Sequence, residues 1–204
     1  MPSRKRGSVH DQLRDRGFKL IDRPTLESDY QHLEAPTRTV DLSYAKSIPT
    51  PTPGYKTAYL TGYAYDIKNK KLKEQSLGDV MTEWLDAKLD GEIYVMSLVP
   101  ESYLLAKGDS IEFEDIFNIT RLWGIDCIIG VFDQSNKSMF VFAQEFGLTH
   151  ISFAPDNVPD NFDEVTAPFK NVVKEGFVKD TQGRTGADEK RLEEYYEAVV
   201  KPFI

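Results

Sequence analysis

The stretch DCIIGVFDQSNKSMFVFAQEFGLTHISFA, residues 126–154, decides the predicted fold. It contains three apolar runs, 126–133, 138–145 and 148–154, separated by short breaks, Gln-Ser-Asn-Lys and Phe-Gly. Short runs rich in isoleucine, valine and phenylalanine with breaks of this kind are typical of strands joined by hairpins. We therefore predict an antiparallel meander in which Asp133 pairs with Ser138.

The preceding sequence alternates between strand and helix patterns. Residues 57–67 alternate in polarity, and residues 92–99 are apolar at nearly every position, as in a strand covered on both faces. A helix closing at Gly91 lies between them, and a second helix spans 109–124. This order predicts right-handed parallel crossovers before the meander. The fold class is therefore α/β or α+β, with a mixed sheet of about five strands and flanking helices.

Composition divides the chain into three parts. Residues 1–54 are basic and proline-rich with short helical patterns, and they predict an N-terminal arm. Residues 55–178 form the main α/β domain, and residues 179–204 form a mobile link and a C-terminal docking helix that Thr185 can cap.

Cysteine usage and hydropathy point to the cytoplasm. Cys127 is the single cysteine among 204 residues, so an internal disulfide is impossible. No apolar run approaches the length of a membrane span, about 20 residues. We predict a cytoplasmic protein with no membrane partner.

Acidic side chains concentrate in one region. Residues 109–164 contain eleven carboxylates and two cations, a formal charge of −9, whereas the whole chain carries −8. This region therefore supplies all of the excess negative charge. A field of one sign attracts basic surfaces and repels nucleic acid, so we predict no nucleic-acid partner.

The leading functional hypothesis follows from this charge, because no motif identifies a reaction. It is a non-enzymatic acidic domain that docks a basic protein partner, as an inhibitor or immunity protein does with a toxin. The same carboxylates would also serve simply to keep a packed domain in solution. The predicted partner contacts are Asp133, Glu145, Asp156, Asp160, Phe162, Asp163 and Glu164.

A cysteine-dependent hydrolase or transferase is the alternative. The predicted register puts Cys127 opposite Gln144, a possible oxyanion donor, with His150 as a candidate base on the next strand. A cysteine and a histidine two strands apart are separated by about 10 Å, too far for a hydrogen bond. A slip of one residue would also turn His150 to the other face, and cysteine is more often buried than catalytic.

Metal and cofactor sites lack support in the sequence. Glu112, Glu114 and Asp115 fall in an early helical turn, where carboxylates favour the helix dipole without a metal. The loop 156–164 is rich in oxygen donors but lacks the glycine and spacing of a calcium loop. We predict no metal and no cofactor. A third possibility is an assembly subunit that uses its N-terminal arm, with the oligomeric state left open.

Overall fold

The protein folds as an α+β domain around a seven-stranded antiparallel sheet. The computed structural model describes residues 9–30, 33–60, 71–72, 75–99, 104–116, 128–143, 148–182 and 186–204. The strands of this sheet are β1 (Lys19–Leu20), β4 (Lys56–Leu60), β7 (Ile93–Ser97), β8 (Leu105–Gly108), β9 (Ile128–Asp133), β10 (Ser138–Ala143) and β11 (Thr149–Phe153). Their order in the sheet is β1-β8-β7-β9-β10-β11-β4.

Helices and two small ribbons complete the described structure. The helices are α1 (Val9–Asp15), α2 (Arg23–Asp29), α3 (Leu77–Lys88), α4 (Phe162–Gln182) and α5 (Ala187–Tyr195). A π-helical turn (Tyr196–Val200) and a 3₁₀ turn (Lys201–Phe203) continue α5. The ribbons pair β2 (Thr37–Val40) with β3 (Ile48–Pro51), and β5 (Lys71–Leu72) with β6 (Gln75–Ser76).

The predicted meander is confirmed for the described residues. Strand β10 pairs antiparallel with β9 and β11, with Met139 opposite Phe132 and Val141 opposite His150. The β9–β10 register is the predicted one, because the length of the connecting loop fixes the register of a hairpin.

The prediction of parallel crossovers in a sheet of about five strands is wrong. Strands β4 and β7 do run in the same direction, but three strands lie between them. Strand β7 pairs instead with β8 and β9, both antiparallel. The sequence revealed the alternation of strand and helix but not which strands become neighbours, and it missed the short strands β1 and β8.

Both faces of the sheet are buried, which explains why β7 and β9 are apolar at nearly every position. One face carries Val95, Val131 and Phe140, which share a core with Met81 of α3 and Phe162 of α4. The opposite face is covered in two places. Near α2, Tyr94 and Phe132 pack with Ile21 and Tyr30, and near the C-terminus Tyr59 packs with Tyr195 and Val199.

The N-terminal segment contributes to this same core. Leu13 and Phe18 are buried in the main cluster, and β1 pairs with β8 at the edge of the sheet. Residues 9–20 of the predicted arm are therefore packed into the domain. Within the described residues, no helix combines the length and the apolar character that crossing a bilayer would require.

Candidate functional site

Helix α3 carries a stripe of acidic side chains on its exposed side. Its core side consists of Val80, Met81, Trp84 and Leu85, which are all buried. Carboxylates recur at intervals of four and three residues along the helix, which places them together on the opposite side. These exposed carboxylates are Asp79, Glu83 and Asp86, and the exposed Asp90 follows two residues after the helix ends.

A helical turn at residues 113–116 extends this stripe on one side. The backbone N–H of Phe113 donates to Thr82 Oγ1 of α3 at 3.2 Å. The neighbouring Glu112 and Glu114 are exposed, so their carboxylates lie beside α3. Arg16 binds Asp115 at 2.5 Å and fixes this turn to the N-terminal segment.

The loop before α4 extends the stripe on the other side. Trp84 Nε1 donates to Asn161 Oδ1 at 3.0 Å, and Asn157 Nδ2 donates to the carbonyl of Lys88 at 3.2 Å. These bonds hold the loop and the first turn of α4 against α3. We call the resulting surface the acidic face; its carboxylates are Asp79, Glu83, Asp86, Asp90, Glu112, Glu114, Asp156, Asp160, Asp163 and Glu164.

The predicted partner contacts divide into two groups. Asp156, Asp160, Asp163 and Glu164 are exposed on the acidic face, whereas Glu145 lies outside the described residues. Asp133 is 0% exposed and Phe162 is 2% exposed, so neither presents its side chain to a partner. This corrects the prediction for these two residues, because tertiary contacts that the local sequence does not show cover both.

Asp133 instead closes the C-terminal end of α3. Its Oδ2 accepts the backbone N–H of Asp90 at 2.6 Å, and its Oδ1 accepts the N–H and hydroxyl of Ser135 at 2.7 and 2.6 Å. Ser138 Oγ donates to the carbonyl of Lys88 at 2.9 Å. Gly91, at φ 70, takes the left-handed conformation that commonly follows a helix. Together these groups lock the end of α3 to the β9–β10 hairpin.

Cations offset part of the charge on the acidic face. Lys137 binds Asp156 at 2.6 Å and Lys56 binds Asp163 at 2.5 Å. The hydrogen bond and charge of Lys137 lower the pKa of the Asp156 carboxyl, so it stays ionised at neutral pH. Asp86, Glu112 and Asp160 have no ion pair among the described residues, and they keep the three parts of the face negative.

His150 lies far from solvent on the other side of the sheet. It is 4% exposed, stands opposite Tyr59 and Val141 in the sheet, and its ring lies 5.4 Å from that of Tyr59. Its Nε2 has no hydrogen-bond partner, and burial lowers its pKa to about 3. A general base works best with a pKa near the ambient pH, so this environment does not favour such a role. Cys127 and Gln144 lie outside the described residues, and their pairing with His150 stays a prediction.

His150 should make the stability of the fold depend on pH. The folded-state pKa of about 3 lies below the ordinary value of 6.5, so the unfolded chain binds the proton first. The stabilisation is complete above pH 6.5 and is lost as the pH falls towards 3. Between pH 7 and 5 we expect this one group to reduce the free energy of unfolding by about 2 kcal/mol.

Urea unfolding of wild type and His150→Phe at both pH values measures this effect. The variant should lose less stability than wild type between pH 7 and 5. His10→Phe, at an exposed position, is the matched control and should behave as wild type does. An equal loss in wild type and His150→Phe would contradict the assignment.

Sequence reasoning missed the part of the acidic face that lies on α3. The charge excess of residues 109–164 lies in one continuous stretch, and the carboxylates of residues 79–90 lie outside it along the chain. The spacing of Asp79, Glu83, Asp86 and Asp90 opposite an apolar stripe was the signal that would have found it. Among the described residues, no three side chains of the histidine, cysteine, aspartate or glutamate type come together as metal ligands would.

Comparison of the chain with protein-family models, with curated proteins and with solved structures gave no significant match.

Proposed function

We propose that this chain is a non-enzymatic binding domain that docks a basic protein surface, in the way that an inhibitor or immunity protein neutralises a toxin. The observation that carries the proposal is the acidic face, where exposed carboxylates from three separate segments lie along one helix and its two flanks. Such a field raises the rate at which an oppositely charged partner associates in the correct orientation.

The packing beneath the acidic face supports this role. Trp84 stacks on Phe162 with ring centroids 5.7 Å apart and planes 18° apart, and both contact Phe153 edge-on. Hydrogen bonds from Trp84 and Asn157 then fix the loop that carries Asp156 and Asp160. A surface whose backbone is already ordered loses less entropy on binding.

Three carboxylates, one from each part of the face, provide the test. Asp86→Asn, Glu112→Gln and Asp160→Asn together remove three charges without touching a described ion pair. We expect this triple variant to associate with a basic partner about tenfold more slowly at low ionic strength. The partner is captured from the native host on immobilised wild type, and association is then measured by surface plasmon resonance at several salt concentrations.

The matched control changes the same net charge elsewhere. Asp29→Asn, Asp188→Asn and Glu193→Gln remove three exposed carboxylates on α2 and α5, away from the acidic face. This variant should associate as wild type does. Equal rates for the two triple variants, or a rate that salt does not change, would contradict docking through the acidic face.

A further inference from the structure

The β2–β3 ribbon has one closed edge and one open edge. Strand β3 places Pro49 opposite Thr39 and Pro51 opposite Thr37. Proline has no backbone N–H, so these two pairs cannot be the ones that exchange hydrogen bonds between the strands. The hydrogen bonds between β2 and β3 therefore join the other two residue pairs of the ribbon, which contain no proline. The backbone groups of Thr37 and Thr39 consequently point away from β3.

These outward groups are available at the surface. Arg38 and Thr39 are exposed, and within the described part of the chain β2 pairs with no strand other than β3. The N–H of Thr37 donates to the carbonyl of Ala35 at 2.7 Å. This leaves the N–H of Thr39 and the carbonyls of Thr37 and Thr39 facing outward. An edge with unpaired donors and acceptors is a template for another strand.

A cleft lies on one side of this edge. Thr37, Thr39 and Pro49 share one face of the ribbon, and all three line a cleft of about 820 Å³. Its volume lies within the range of known ligand sites, roughly 300–1,000 Å³. The other walls come from α2 and the segment after it, the end of β7 and the start of β8, and their lining includes the apolar residues Leu26, Leu33, Met96, Leu98 and Leu105.

The charges around the cleft are unbalanced. Arg23 is already paired with Glu27 at 3.0 Å. Glu34 also lines the cleft, is exposed and has no ion pair among the described residues. Among the charged residues that line the cleft, the remaining charge is therefore negative, and it favours a basic side chain there.

We propose that β2 and this cleft bind an extended peptide segment of a partner protein by strand addition. Backbone hydrogen bonds to Thr39 hold the segment along β2, and its alternate side chains enter the cleft, where Met96 and Leu98 receive an apolar residue. A lysine or arginine of the segment pairs with Glu34. The site lies outside the acidic face, and it does not depend on the docking function proposed above.

Three variants at one exposed position test the proposal. Thr39→Val keeps the outward N–H. Thr39→Pro removes it, and an edge strand tolerates proline where the N–H faces outward. Thr39→Trp keeps the N–H but fills the cleft. The probe is a phage-displayed library of random dodecapeptides selected on the full chain, with circular dichroism to confirm that each variant is folded.

We expect the selected peptides to alternate apolar residues and to contain a lysine or arginine. Their affinity should be unchanged for Thr39→Val and about 3- to 10-fold weaker for Thr39→Pro, as the net energy of one hydrogen bond implies. Thr39→Trp should also weaken binding, and Glu34→Gln should weaken binding of the basic peptides.

Two outcomes would overturn the proposal. One is the absence of selected peptides, or selected peptides that bind Thr39→Pro and Thr39→Trp as tightly as wild type. The other is dimerisation of the chain in light scattering that Thr39→Pro abolishes, because a second copy would then occupy the edge.

Discussion

Phe162→Ala is expected to destabilise the fold by about 3–5 kcal/mol, the typical loss for a large aromatic removed from a core. Phe162 is 2% exposed, stacks on Trp84, contacts Phe153 edge-on, and lies under Lys56 Nζ at 5.1 Å. Removing the ring would leave a cavity between α3, α4 and the sheet. Urea unfolding followed by circular dichroism measures the loss.

This result separates a core residue from a surface anchor. A surface anchor would lose binding on truncation with little change in stability, whereas a core residue loses stability first. Phe162→Leu is the matched variant, because it keeps part of the buried volume and should cost less than Phe162→Ala. We expect folded Phe162→Leu to bind a basic partner as wild type does. Wild-type stability of Phe162→Ala would contradict the packing described above.

Asp133→Ala is expected to destabilise the fold by about 2–4 kcal/mol, because it removes a buried carboxylate that accepts three hydrogen bonds. The N–H of Asp90 and the N–H and hydroxyl of Ser135 would lose their acceptor. The change should also loosen the end of α3. Urea unfolding gives the free energy, and hydrogen exchange at the Asp90 amide reports the local opening.

Two variants calibrate this prediction. Asp133→Asn keeps one acceptor oxygen, so we expect an intermediate loss. Asp156→Ala removes an exposed carboxylate of the same region, whose ion pair with Lys137 is screened by solvent and should contribute little to stability. Similar losses for Asp133→Ala and Asp156→Ala would contradict the buried role of Asp133.

Local sequence patterns predicted the parts of the fold that local contacts determine. The 126–154 meander followed from three apolar runs and their short turns, and the turn fixed the β9–β10 register. The pairing of β4 with β11 joins Thr57 to Ser152, far along the chain, and no local pattern encodes it. The sequence pattern did not predict strand β8, because Leu105–Gly108 is short and includes a lysine and a glycine.

The acidic face shows the same limit at the level of single side chains. The sequence placed Asp156, Asp160, Asp163 and Glu164 in an acidic region, and the structure shows all four exposed. The burial of Asp133 could not be predicted from the residues next to it in sequence, since Asp90 approaches it only in the folded chain. The predicted functional role of these acids stays a proposal.

Zero-length carbodiimide cross-linking of the captured complex, read by mass spectrometry, tests the docking proposal most directly. The reagent joins a carboxylate to a lysine only where the two are in contact. Docking through the acidic face predicts cross-links from Asp86, Glu112 or Asp160 to lysines of the partner. Cross-links confined to carboxylates elsewhere, such as Asp29, Asp188 and Glu193, would contradict it.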